Sequence, residues 1–332
     1  MVLRSIPHVA DVHWIRGVGR ADGIAPDLLI EVPHGATDTA DFEALAALLR
    51  SPLPDGLVDF FHANTDVGAF ELALAAAQHF VGASSAAALI VRSRIPRTFI
   101  DCNRRIDASP EAFRAGKVTP GLMPWATDDD DIALLRQRHA AYVGLVRDAS
   151  AALAPGAGVL LLHSYAPRSV SIEVDLDVVK NLRRAYRPEI EATWPMRPEF
   201  DVITRDVDGR SHAPTAVVDA LRAGLGACGW TVAESETYPL HPSTLAWDHV
   251  MQRPGRALCL EVRRDLLAEP FDPFVPMKIC AGKVDRIARP LAAALAAWGP
   301  GHRVDSMPRA DPAAGLALAT MDLRRPHARE RT

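Results

Sequence analysis

Apolar positions along this chain recur with two different periods, and segments of the two kinds alternate. The mostly apolar run Asp27-Leu28-Leu29-Ile30-Glu31-Val32 predicts a buried strand, and Pro33-His34-Gly35-Ala36 ends it with residues that suit a turn. Helical spacing predicts a helix from about Phe42 to Arg50 and a longer Ala/Leu-rich one from Asp66 to Phe80, which puts Asp66 in a first helical turn. A strand over Ala88 to Val91 follows, then the Arg/Pro segment Arg92 to Arg97 and a second extended stretch over Thr98 to Asp101. A helix from about Asp131 to Leu153 stops at Pro155-Gly156, and Val159 to Leu162 predicts a central strand ending at His163-Ser164. Beyond it come a helix near Thr215 to Ala227, strands at Trp230 to Glu234 and Ala257 to Val262, and a final helix from about Met277 to Trp298.

Strands alternating with helices predict an α/β fold with a largely parallel or mixed sheet. Residues 1–299 are expected to form one such domain with insertions. Residues 300–332 mix Arg, Pro, Ala and Asp without a period and predict a loose or docked extension. The stretch Trp194 to Pro198 and the Pro-rich turn around Pro239 to Pro242 look like insertions over the sheet, where pocket walls arise.

Charge narrows the function. With a formal net charge of −4 and no Lys/Arg-rich stretch threaded with aromatics, nothing favours a nucleic-acid partner. No segment has the length and apolarity of a bilayer span or of a secretory leader, so a cytoplasmic protein without a membrane partner is expected. The four cysteines, Cys102, Cys228, Cys259 and Cys280, form no CxxC pair and are expected to be reduced packing residues.

The polar residues of interest gather at predicted strand ends: His34, Asp101 to Arg104, His163-Ser164 and Glu261. Ligands of open α/β sheets bind beyond the carboxyl ends of the strands, so these separated segments are expected to converge. Two neutral imidazoles and a carboxylate make a zinc site with a position left open for water, and His34 and His163 suit the imidazole places. For the carboxylate, Asp66 competes with Asp38, four residues after His34; an acid in a first helical turn also serves the helix dipole. Glu261, in the run Ala257-Leu258-Cys259-Leu260-Glu261-Val262, carries a carboxylate into apolar surroundings, where it either acts as a general base and acid or pairs with Arg263 or Arg264. Arg97 and Arg104 flank a segment that ends in Asp101-Cys102-Asn103, and their guanidinium forks suit a substrate carboxylate or an oxyanion, with Asn103 as a neutral donor beside them. Asp101 is expected to orient an arginine, and Arg92, Arg94 and Arg105 to form a solvated face.

Taken in order, Val32-Pro33-His34-Gly35, Asn64-Thr65-Asp66, Arg97 to Arg104, His163-Ser164 and Leu260-Glu261-Val262-Arg263-Arg264-Asp265-Leu266 resemble the motifs of the N-formylglutamate amidohydrolase family, over about Leu28 to Leu267. The resemblance implies a central mixed, largely parallel sheet with helices on both faces, like that of zinc-dependent exopeptidases and the aspartoacylase group. It implies one divalent metal, zinc, on His34, Asp66 and His163, with Asp66 replacing the Glu that exopeptidases carry where Thr37 stands here. It also implies Glu261 as the catalytic carboxylate, Arg97 at the oxyanion, and Asn103 and Arg104 on the substrate carboxylate. This chain departs from the family in Tyr238 to Arg256, which replaces a Gly-Gly-Tyr stretch and a His-Tyr-Gly and is expected to shape the pocket, and in the length of the stretch after His163 that holds Arg168. The expected activity is metal-dependent hydrolysis of an amide in a small N-formyl or N-acyl amino acid. The alternatives are hydrolysis of another C–N bond and a metal-free small-molecule binder on the same fold.

Overall fold

The computed structural model describes residues 3–17, 23–82 and 86–298; the expected extension lies outside them. Seven strands form one sheet: β1 (Ala10–Arg16), β2 (Leu28–Val32), β3 (Ala87–Ser93), β4 (Gly158–Tyr165), β5 (Phe200–Val202), β6 (Val232–Glu234) and β7 (Ala257–Arg263). Their spatial order is β1-β3-β2-β4-β7-β5-β6. The four strands β3-β2-β4-β7 run parallel, β1 and β5 lie antiparallel to their neighbours β3 and β7, and β6 runs parallel to β5. Every residue of β2 and β4 is buried, which is why both read as continuous apolar runs rather than alternating ones.

Among the described residues ten α-helices surround the sheet: α1 (Thr39–Ala46), α2 (Leu57–Asn64), α3 (Ala69–Gly82), α4 (Pro110–Ala115), α5 (Asp129–Ala151), α6 (Val178–Ala185), α7 (Pro188–Glu191), α8 (Thr215–Ala227), α9 (Leu245–Gln252) and α10 (Ala281–Leu295). On one face, Leu28, Ile30, Leu160, Leu162 and Leu260 pack under α3, α8 and α10. On the other, Leu29, Leu89, Val91, Val159 and Leu161 pack under α1, α2, α5 and α9. The strand alternation therefore places Glu31, His163 and Glu261 on this second face. The chain leaves β2 for β3 on one side and later returns to β4 on the other, so the crevice past the ends of β2 and β4 is a topological switch point.

Several boundaries differ from the sequence reading. Thr98 to Asp101 is no strand; Phe99 N–H closes a turn on Pro96, and Ile100 makes a single bridge to Leu122. The predicted first helix begins earlier, at Thr39, because Asp38 caps it by accepting Ala40 N–H at 2.9 Å. Asp66 lies ahead of α3, which begins at Ala69. β4 runs on through His163 and Ser164 to Tyr165, and the final helix starts at Ala281, after the short strand Lys278–Ile279 pairs with Ala268–Glu269. All four cysteines are free thiols, as expected. No helix among the described residues is long and apolar enough to cross a membrane.

The amino end of β4 is sealed by Trp298, whose indole N–H donates to Gly255 O at 3.1 Å. A Cβ on Gly158 would fall 2.0 Å from the Trp298 ring. Gly158→Ala must therefore push the indole out of its seat, and it is expected to cost about 1–3 kcal/mol of stability. Urea unfolding of the variant against the wild type measures this; an unchanged midpoint would show that the packing tolerates the methyl group.

Candidate active site

Past the end of β2, the turn at Pro33-His34-Gly35 drops the His34 ring into the crevice, where β4 presents His163 and the loop between α2 and α3 presents Asp66. All three side chains are buried. The loop is held on both sides: Thr65 Oγ1 donates to Ala36 O at 2.8 Å, and Ser164 Oγ donates to Val67 O at 2.8 Å. Gly68, at φ +83°, turns the chain into α3, and a Cβ there would lie 2.7 Å from Leu267 Cβ, so the turn depends on glycine.

Three ligand-type atoms meet. His34 Nδ1 lies 3.2 Å from Asp66 Oδ2, His163 Nδ1 lies 3.0 Å from the same oxygen, and the two Nδ1 atoms are 3.2 Å apart. Ligands held tetrahedrally at about 2.0–2.1 Å from zinc sit roughly 3.3 Å from one another, so the triangle matches three corners of a zinc site. His34 Nε2 faces Asp101 Oδ1 at 2.7 Å. A carboxylate there requires the ring proton on Nε2, which leaves the Nδ1 lone pair aimed at Asp66 and His163. Burial works against ionising Asp66, but the facing His34 and His163 outweigh it and hold the carboxyl far below its usual range. Asp38 caps α1 and is not part of this group.

Asp101 ties the cluster to the arginines. Fully buried, it also accepts Asn103 N–H at 2.8 Å and Arg97 Nη2–H at 2.9 Å, with Arg104 Nη2 at 3.4 Å. Burial opposes its ionisation, yet Arg104, His34 and Arg97 together keep it well below the ordinary carboxylate range. Its expected role of orienting an arginine therefore extends to two arginines and to His34. Arg97 Nη1 reaches within 3.7 Å of Asp66 Oδ1, and its Nε has no partner among the described residues. Arg104 is buried, donating to Asn103 O and Thr119 O. Asn103 places Nδ2 3.4 Å from His163 Nε2.

Glu261 sits on β7 directly opposite His163 on β4. Neither basic neighbour in sequence reaches it: Arg263 pairs with Asp265 at 2.8 Å and Arg264 donates to Ala63 O at 2.7 Å. Its Oε2 is shut from solvent without a partner. Burial raises the carboxyl to about 7, with Asp66 adding to the rise against the pull of His163, Arg197 and Arg97.

These seven residues, His34, Asp66, Arg97, Asn103, Arg104, His163 and Glu261, all line one cavity of about 910 Å³. Arg197 and Arg264 line it as well, as does Arg114, and none of the three is expected there from the sequence. Arg264 is buried with Nε unpartnered, and Arg197 lies over the Tyr165 and Tyr238 rings, donating to Tyr238 Oη at 3.0 Å. Their signals were present but ambiguous: Arg264 stands three residues after Glu261, and Arg197 lies in the flagged insertion Trp194 to Pro198. Pro239 and Leu240 supply wall, as expected of that turn, and Arg168 lines the cavity while donating to Trp194 O at 2.7 Å. Arg92 and Arg94 do not form a solvated face. Arg94 forks onto Asp41 and reaches Asp11, and Arg92 lies over Phe70 and donates to Gly35 O at 2.7 Å, bracing the His34 turn. Arg105 is half-exposed and pairs with Asp248.

The Glu261 environment has a consequence for stability. Because the folded carboxyl is raised to about 7 from 4.5, the metal-free folded state binds the extra proton in that window, so stability falls as pH rises through it and the full cost applies above 7. Glu261→Gln removes the charge and is expected to stabilise the metal-free protein at pH 8 by about 1–3 kcal/mol, with the gain gone by pH 4.5. Denaturant unfolding at both pH values checks this; a variant less stable than the wild type at pH 8 would contradict it.

The family model for N-formylglutamate amidohydrolase matches residues 26–268. No curated protein matches the chain. Among solved structures, the N-formylglutamate amidohydrolase of Ralstonia eutropha JMP134 is similar over 86% of this chain and 95% of its own, at 19% identity and a TM-score of 0.51. A gene product of Agrobacterium tumefaciens is similar over 86% of this chain and 94% of its own, at 20% identity and a TM-score of 0.49. At such identity the Ralstonia structure supports the α/β fold with its mixed seven-stranded sheet, while the family match covers most of the chain from the strand before His34 to the segment after Glu261. The chain belongs to the N-formylglutamate amidohydrolase family.

Proposed function

We propose that this protein hydrolyses the amide bond of a small N-formyl or N-acyl amino acid, using one divalent metal, zinc by its donor set, held by His34 Nδ1, Asp66 and His163 Nδ1. The observation that carries this reading is the triangle of two Nδ1 atoms and Asp66 Oδ2, with edges of 3.0–3.2 Å, opening onto the cavity that Glu261 and the arginines line. A zinc ion bound there supplies Lewis acidity, lowering the pKa of water and polarising a carbonyl.

The chain's own groups divide the remaining work. Glu261, with a carboxyl raised to about 7, is suited to take a proton from the attacking water and return it to the leaving amine. Arg97, held by Asp101 but with Nε unpartnered, donates to the oxyanion as the carbonyl becomes tetrahedral. Asn103 and Arg104 hold the substrate carboxylate, which turns attack into an effectively intramolecular event. A carboxylate-bearing substrate is supported by charge: Arg97, Arg104, Arg197 and Arg264 line the cavity, and neither Arg197 nor Arg264 has a carboxylate partner among the described residues. Asp101 contributes without touching substrate, fixing His34, the oxyanion-side Arg97 and the carboxylate-side Arg104 in place.

Elemental analysis of the purified protein is expected to find one metal per chain, and none in His34→Ala/His163→Ala. A panel of N-formyl, N-acetyl and N-succinyl amino acids then identifies the acyl group, because a site built around given polar groups rejects analogues that lack them. Glu261→Gln is expected to keep the metal and lose about 10²–10⁴-fold in kcat. A wild-type protein without metal after zinc supplementation, or full activity in Glu261→Gln, would overturn the reading.

A further inference from the structure

Below the metal cluster, on the same face of the sheet, lies a carboxylate that the proposed reaction does not use. Glu31 of β2 is fully buried and keeps both oxygens occupied: Tyr142 of α5 donates its hydroxyl to Oε1 at 2.9 Å, and His249 Nε2 of α9 meets Oε2 at 2.8 Å. Tyr142 and His249 are themselves buried. Burial, with the Glu31 charge next, pushes the Tyr142 phenol far up, so it remains a donor. An apolar side chain would fill this strand position at lower desolvation cost, and a buried polar pair is best accounted for where it fixes one element against another.

The element fixed is α9. One helical turn ahead of His249 stand Leu245 and Ala246, and their backbone N–H groups hold Asn103: Leu245 donates to Asn103 O at 3.3 Å and Ala246 to Asn103 Oδ1 at 3.2 Å. With Oδ1 taken by the helix, the Asn103 amide can only turn its NH₂ toward His163, where Nδ2 lies 3.4 Å from Nε2. Ala246 also lines the cavity. The first turn of α9 thus holds the Asn103 amide, and the same helix is tied to β2 by His249 on Glu31, beside its apolar packing through Ala246 and Val250. That helix lies in the Tyr238 to Arg256 stretch in which this chain departs from its family's motifs.

We propose that Glu31 and His249 are positioning residues, clamping α9 to the central strand β2 so that the helix's first turn aims the Asn103 amide at the substrate carboxylate. The proposal rests on the carboxylate role assigned to Asn103 above, and its test separates the two. Amide hydrogen exchange at Leu245 and Ala246, and the Asn103 side-chain NH₂ resonances, read the clamp on the zinc-supplemented full chain without any turnover.

In His249→Leu the exchange at Leu245 and Ala246 is expected to accelerate at least tenfold relative to Leu161 in β4, with the Asn103 NH₂ resonances shifted. KM for the best carboxylate substrate of the panel is expected to rise about tenfold, with kcat within about threefold. His249→Gln, which keeps a donor near Oε2, is expected to recover most of both effects. Tyr142→Phe breaks the other half of the network and should lower stability while leaving exchange in α9 and KM unchanged. Unchanged exchange at Leu245 and Ala246 in His249→Leu, or equal effects from Tyr142→Phe, would overturn the clamp and leave the network as plain core packing. If no panel member is turned over by the wild type, the carboxylate reading fails, and exchange and resonances still decide the clamp.

Discussion

A carboxylate buried in a protein interior must be surrounded by donors, and Asp101 meets that constraint in a way that organises the whole site. It faces the imidazole of His34, the backbone N–H of Asn103 and the guanidinium groups of Arg97 and Arg104. Each contact lowers the cost of burying the charge, and each also fixes a group that lines the cavity. The imidazole is held in one tautomer, one arginine beside the Asp66 cluster and the other beside Asn103. Replacing Asp101 would therefore loosen His34 and Arg97 together, because they share a single anchor.

The sheet makes this sharing possible. Parallel strands deliver their carboxyl ends to the same edge, and the reversal of strand order at β2 opens a crevice there. Into it come the turn after β2, the late part of β4 with His163 and the late part of β7 with Glu261, the last two in direct register. Residues about 100 to 130 positions apart in the chain, such as Leu28 and Gly158 or His163 and Glu261, become neighbours through strand pairing alone, and the side-chain network then adjusts distances within a frame that is already set.

This division also explains what could be read from the sequence. β2, β4 and β7 are dense apolar runs, and polar residues near their ends stand out, so His34, His163 and Glu261 were legible. Asp66 was legible as a residue but not in its setting, since the Ala/Leu spacing of α3 extends no warning that Gly68 delays the helix start. The strand β1 escaped because it is a partly exposed edge whose Asp11, His13 and Arg16 interrupt any apolar run. Arg94 looked like solvated charge because its partners, Asp11 and Asp41, lie 83 and 53 positions away. The Glu31–His249 contact spans 218 positions, and no local pattern announces it. Local periodicity encodes elements; pairings between distant polar side chains appear only once the elements have packed.

Buried polar atoms without a protein partner are costly and therefore few, and their location carries information. Among the described residues they include Asn64 Nδ2, Arg97 Nε, Thr119 Oγ1, Thr237 Oγ1, Glu261 Oε2 and Arg264 Nε, and all six of these residues line the same cavity. By contrast, the buried Glu31, outside that cavity's wall, has both oxygens paired, by Tyr142 and His249. A fold able to pair interior groups on the same face of the sheet has the means to pair them within the site. Unmet donors and acceptors concentrated on one wall fit a surface shaped for a polar molecule that completes them on arrival, at the cost of stability in its absence.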